Sequence, residues 1–167
     1  MCGIAKVDLR LFLLLVFGGL VNTTFASEKL TFEDQIIIEH AEIILPPGDS
    51  KLARAYMVIW NGTSTAISVV AVRGQNGEAQ LVKAEKGNDG QFEIVPSSMP
   101  RFIPPHSEFT MTKNGYFLLV PVNDQADVLQ GYLFSVELGS GRNLIASADV
   151  LAAGTKPRDH HHGSNDN

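Results

Sequence analysis

Cysteine is almost absent: Cys2 is the only one in 167 residues. It precedes an apolar run rather than following one, so it lacks the small-residue setting of a lipid-attachment cysteine. The rest of the chain therefore has no disulfide, no thiolate ligand and no thiol nucleophile. A blue-copper electron-transfer centre is excluded with them, since it needs a cysteine sulfur on the metal. Long apolar runs are missing too. Leu11–Val21 (LFLLLVFGGLV) is the longest, well short of the about 20 residues that span a bilayer. Lys6 and Arg10 lie before it, and Thr24-Phe25-Ala26 follows it. Together these predict a secretory signal peptide over residues 1–26, hence an exported, periplasmic or secreted chain without a membrane span. Positive charge is scarce: 13 Lys and Arg stand against 18 Asp and Glu, a formal net charge of −5. The N-terminal segment holds Lys6 and Arg10 against Asp8, a net +1, so without it the charge is −6. An acidic domain with no Lys/Arg cluster repels phosphate backbones, which excludes nucleic acid as a partner. No Gly-x-Ser-x-Gly elbow, zinc-protease helix or phosphate-cradling loop occurs, and the chain is read as a non-enzyme.

What is there, after residue 33, is a series of short runs rich in Val, Ile, Tyr and Phe. Such runs suit half-buried sheet positions. Strands are expected near Gln35–Leu45, Ala53–Trp60, Ala66–Val72, Ala79–Ala84, Gln91–Val95, Glu108–Thr112, Tyr116–Val122, Gly131–Glu137 and Asn143–Val150. Asn61-Gly62, Asn76-Gly77, Asp89-Gly90, Asn114-Gly115 and Gly139-Ser140-Gly141 separate them as turns supplying positive φ. Turn signals at this spacing predict an antiparallel β-sandwich. Pro96–Pro105 (PSSMPRFIPP) cannot hold a central strand and is expected as a loop crossing the sandwich edge. The domain is placed at residues 27–154, and Thr155–Asn167 is expected to be a disordered polar tail.

Three stretches carry a family resemblance. "IIIEHAEIILPPGDSKLARAYMVIWNG" (36–62) has an opening strand, a Pro46-Pro47-Gly48 turn, then Ala55-Tyr56 leading to Asn-Gly. "NDGQFEIVP" (88–96) follows, and "RFIPPHSEFTMTKNGYFLLVPV" (101–122) adds an Ile-Pro turn and a Gly-Tyr-led strand. This ordered set resembles the periplasmic copper chaperones called PCuAC, over about residues 33–152. The resemblance implies an all-β, cupredoxin-like Greek-key sandwich and a role in copper homeostasis or delivery. It also implies a copper-receiving partner, periplasmic or attached to the membrane. In that family two histidines and two methionines hold copper(I), as imidazole and thioether suit a soft ion. Carried over position by position, none of the four is present. The first His falls in Val82–Ala84, the first Met at Ile94 or Val95, and the His-x-Met pair at Phe117 and Leu119. Ile94, Phe117 and Leu119 are expected to converge as a dry apolar patch, with Lys83 beside it to repel a cation. The patch is either an extension of the core or a protein-binding surface.

Other donors remain. A relocated site from Met99, His106 and Met111 competes with a solvated turn histidine. Strict alternation would put His40 with Ile38, Glu42 and Ile44 on one face, making a His-x-Glu pair. Met57 reads as core. That leaves the tail, where His160, His161 and His162, with Asp159 as an oxygen ligand, could wrap a borderline ion such as Cu(II), Ni(II) or Zn(II). The alternative is a solvated tail on a metal-free β-sandwich that serves as an interaction or accessory module.

Overall fold

A computed structural model describes residues 35–158. Its strands are β1 (Ile36–Ile44), β2 (Leu52–Asn61), β3 (Ile67–Gly74), β4 (Gly77–Glu78), β5 (Gln80–Lys86) and β6 (Phe92–Pro96). They continue with β7 (Arg101–Ile103), β8 (Ser107–Thr110), β9 (Tyr116–Pro121), β10 (Tyr132–Leu138) and β11 (Asn143–Leu151). One short helix, α1 (Gln125–Leu129), lies between β9 and β10. Neighbours run in the order β4-β3-β10-β11-β1-β2-β9-β5-β6, with β7 against β3 and β8 against β2. Every pair is antiparallel except β1 with β11, whose parallel pairing joins the two halves of the curled sheet. The fold is the expected all-β, cupredoxin-like Greek-key sandwich.

The core combines alternating and continuous burial. On β10, Tyr132, Phe134 and Val136 are buried in alternation with exposed or half-buried residues, whereas Tyr56, Met57, Val58 and Ile59 of β2 are buried in succession. A strand apolar on both faces is one that is covered on both faces, and each such large side chain contributes about 1.5–3 kcal/mol. Met57 is core, as its sequence context predicts.

Three local expectations change. Arg101–Ile103, inside the proline-rich segment, is a strand after all; it pairs with β3 as a short edge strand, the place where flanking prolines are tolerated. Helix α1 had no periodic signal because it is a single turn. Its cue was the cap: Asp124 accepts a hydrogen bond from the Ala126 amide at 2.8 Å, and Val128 is the residue it buries. Among the glycine turns, Gly77, Gly90 and Gly141 take positive φ, whereas Gly62 and Gly115 do not. At Gly62 the reason is Asn61, which ends β2 fully buried rather than turning the chain. Its amide nitrogen lies 2.9 Å from the Thr65 carbonyl, 3.1 Å from Ile103 and 2.8 Å from Pro104, and its oxygen accepts from Thr63. One side chain thus ties two loops to the end of a central strand.

Candidate functional site

The positions that the resemblance assigns to copper ligands do come together. On one sheet, Val82 of β5 stands opposite Phe117 of β9, Ala84 opposite Ile94 of β6, and Gln80 opposite Leu119. Directly opposed residues share a face. Ile94 and Phe117 line the same shallow pocket of about 150 Å³, with Ala84, Phe92, Asn114 and Arg54. Leu119 lies two residues along β9, paired with Arg54 of β2.

The patch is not simply dry and apolar. Arg54 places its guanidinium 5.4 Å from the centre of the Phe117 ring, and the Tyr56 ring lies 6.0 Å from it on a tilted plane. Phe117 is only 1 % exposed beneath this cover, while Phe92 and Ile94 are 53 % and 46 % exposed at the rim. The cation beside the patch is therefore Arg54, with Lys113 on the rim, and not Lys83. Lys83 opposes Tyr116 and Val95 and so points to the other face. There it bonds Glu85 at 2.9 Å and sits 5.8 Å from the Tyr116 ring. Glu85 raises the ammonium's pKa through that bond and its charge. One-residue steps on a strand change faces, which is why proximity in sequence misassigned the charge.

Arg54 and Lys113 also line a neighbouring pocket of about 290 Å³ with Leu52, Tyr56 and Pro157. Burial pushes the Tyr56 hydroxyl up; the charge and hydrogen bond of Arg54 pull it back, and the charge of Glu42 adds to the rise. Glu42 is 1 % exposed. The Arg158 amide donates to its Oε2 at 3.1 Å, and the Arg158 Nε lies 3.4 Å from its Oε1. The same guanidinium reaches Asp149 at 3.1 Å. Residues 155–158, expected as the start of a free tail, are thus strapped across the sheet. A buried carboxylate gives them somewhere to go.

The His40–Glu42 pair fails on register. Glu39 opposes Val58 and Glu42 opposes Tyr56, so β1 spends one residue more than β2 between them. His40 occupies this bulge with φ +51°. Ile38 opposes Ile59, an odd position of β2, whereas Glu42 opposes an even one, so the bulge turns Glu42 to the face opposite Ile38. His40 stays exposed and Glu42 goes in. The relocated Met99–His106–Met111 site does not assemble either. His106 is exposed at a turn with φ +48°, and Met111 is 2 % exposed beyond the far end of β8. Extended chain puts these two roughly 16 Å apart. Met99 packs against the core. Among the described residues no three His, Cys, Asp or Glu side chains cluster as a metal site would. Asp159, His160, His161 and His162 lie outside the described residues, as does the N-terminal segment over 1–26.

The single curled sheet, its parallel closure between β1 and β11, and a pocket end built from β5, β6 and β9 define a cupredoxin-like β domain. More particularly, the fold is that of PCuAC domains. The copper-bound PCuAC domain from PmoF2 superposes with a TM-score of 0.54 at 20% identity, covering 70% of this chain and 92% of that one. The apo PmoF2 PCuAC domain gives 0.55 at 17%, covering 74% and 94%. The apo PCuAC domain from PmoF1 gives 0.55 at 21%, covering 70% and 93%. By sequence, no family model and no curated protein matches the chain. No helix among the described residues is long and apolar enough to cross a membrane.

Proposed function

We propose that this is an exported copper-handling protein of the PCuAC type whose folded domain has lost the family's metal site and whose metal capture falls to Asp159, His160, His161 and His162. Copper is its cargo, taken up in the periplasm and passed to a periplasmic or membrane-attached recipient. The observation that carries the reading is Arg54 over Phe117, next to Ile94. A guanidinium about 5 Å from a bound cation costs that cation about 3 kcal/mol at an effective dielectric constant of 20. That is roughly two decades of affinity, in a pocket where the donors are gone. Arg158, the last described residue, is held at Glu42, and Pro157 lines the pocket that Arg54 and Lys113 share; this supports a tail acting near the altered end. A second reading draws on the exposed Phe92 and Ile94: a metal-free accessory module in which the altered end meets a protein.

Copper titration separates the two. The chain should bind Cu(II) near neutral pH and release it as pH falls through roughly 6 to 5, because protons compete for imidazoles of ordinary pKa about 6.5. Replacing His160, His161 and His162 by alanine should abolish capture. So should truncation after Arg158, which keeps the strap on Glu42. Cu(I) held tightly by the triple variant at pH 5 would point back to methionines in the domain and defeat the tail reading. No copper bound by the full chain would favour the accessory module.

A further inference from the structure

β6 ends the strand order, so one of its edges has no neighbour among the described residues. Its hydrogen-bond phase says which groups that edge presents. The Ser97 amide donates to Leu81 at 2.9 Å and Gly87 donates to Gln91 at 2.7 Å. In the register of β5 with β6 these are the hydrogen-bonded pairs, so Glu93 and Val95 also turn their amides toward β5. Phe92, Ile94 and Pro96 form the alternate pairs and direct their backbone groups outward. Phe92 and Ile94 are also among the exposed large apolar residues. An open edge with apolar side chains is a template for another strand.

We propose that β6 pairs antiparallel with β6 of a second copy of this chain, about a two-fold axis through Ile94. The sequence Phe92-Glu93-Ile94-Val95-Pro96 singles out that register. Centred on Ile94, the two Ile94 residues exchange amide and carbonyl, and each Phe92 amide meets the Pro96 carbonyl of the other copy. Each Glu93 faces Val95. Lys83, opposite Val95 on β5, stands one strand beyond the Glu93 of the other copy, with the opposite charge. Centring on Glu93 would oppose two carboxylates directly, which is destabilising. Pro96 has no amide to return in either remaining register. Centring on Ile94, however, keeps a complete two-bond pair at Ile94 besides one bond at each Phe92–Pro96 pair, whereas centring on Val95 leaves only one bond at each Ile94–Pro96 pair. The contact covers Phe92 and Ile94, the rim of the Arg54–Phe117 pocket. Being only one short strand wide, it falls in the range of transient interfaces, below about 1,200 Å², so association is concentration-dependent.

The test is sedimentation equilibrium over a wide concentration range, paired with cysteine cross-linking in a Cys2→Ser background that leaves no other thiol. Wild type should pass from monomer to dimer. Ile94→Asp, a change at a half-exposed position whose folding circular dichroism verifies, should weaken association at least tenfold. Ile94→Cys should form a disulfide dimer on mild oxidation, because a hydrogen-bonded antiparallel pair holds Cα atoms about 5.5 Å apart, within disulfide reach. Phe92→Cys should not, since its two copies would be roughly 14 Å apart. A wild-type chain monomeric at every concentration, an Ile94→Asp variant that associates as wild type does, or equal cross-linking of the two cysteine variants would each overturn the proposal. None of these readouts involves copper, so the result stands apart from the tail reading.

Discussion

Truncation after Gly154 removes residues 155–158 from a carboxylate that the fold has taken out of water. Glu42, 1 % exposed, loses the Arg158 amide at 3.1 Å and the guanidinium at 3.4 Å. A hydrogen bond to a charged group contributes about 1.5–3 kcal/mol. The ion pair adds less: the Arg158 side chain is 62 % exposed, and solvent-screened pairs contribute about 0–1 kcal/mol. Water entering where the strap lay returns part of this, leaving a net loss of about 2 kcal/mol. For a domain of this size that is a fall of roughly 6–10 °C in Tm. Truncation after Arg158 keeps both contacts and should stay within about 0.5 kcal/mol of the full chain. Glu42→Gln supplies the control. In the Gly154 truncation the neutral amide should recover at least about 1 kcal/mol, whereas in the full chain it should destabilise, so the two changes are coupled. Urea midpoints at a constant denaturant slope measure all five chains. Equal midpoints for the two truncations would refute the reasoning, for Glu42 would then not depend on Arg158.

Phe117→Ala empties a buried ring position under Arg54 and should cost about 3–5 kcal/mol, read from urea unfolding; a loss below 1 kcal/mol would mean that the pocket collapses freely. Burial raises the hydroxyl pKa of both Tyr56 and Tyr132 above the ordinary value of 10.0. The folded state therefore holds these protons more tightly than the unfolded chain. Their contribution is fully present below pH 10 and is lost as pH rises through the raised values. Tyr56→Phe should flatten the alkaline limb of the stability profile, as followed by circular dichroism against pH.

Much of the fold was legible in the chain. The nine runs expected as strands each match one to within about two residues at either end, because burial selects Val, Ile and aromatics at sheet positions whatever the topology. Composition also showed what the site could not be, since missing thiols cannot be restored by folding. What stayed illegible depended on register and on distant partners. Alternation counted His40 and Glu42 onto one face, but a single residue in the left-handed region, His40, inserts a bulge and reverses every face after it. Lys83 looked like the cation at the patch because it lies beside Val82 in sequence, whereas strand pairing brings Arg54 over Phe117 from 63 positions away. Nothing in "GTKPRD" marks Arg158 as an anchor, because its partner Glu42 is 116 residues away and acquires its need for a partner only on burial.

By itself, then, the sequence determined the class of structure, through apolar periodicity and turn residues, and the inventory of donors that no fold could enlarge. Tertiary structure alone decided which face each residue took, which charge covered Phe117, which edge remained open at Phe92 and Ile94, and where the C-terminal segment was tied. The physical reason is the same in each case: periodicity is a local property of the chain, but a hydrogen-bond register and the desolvation of a charge exist only between segments that folding has brought together.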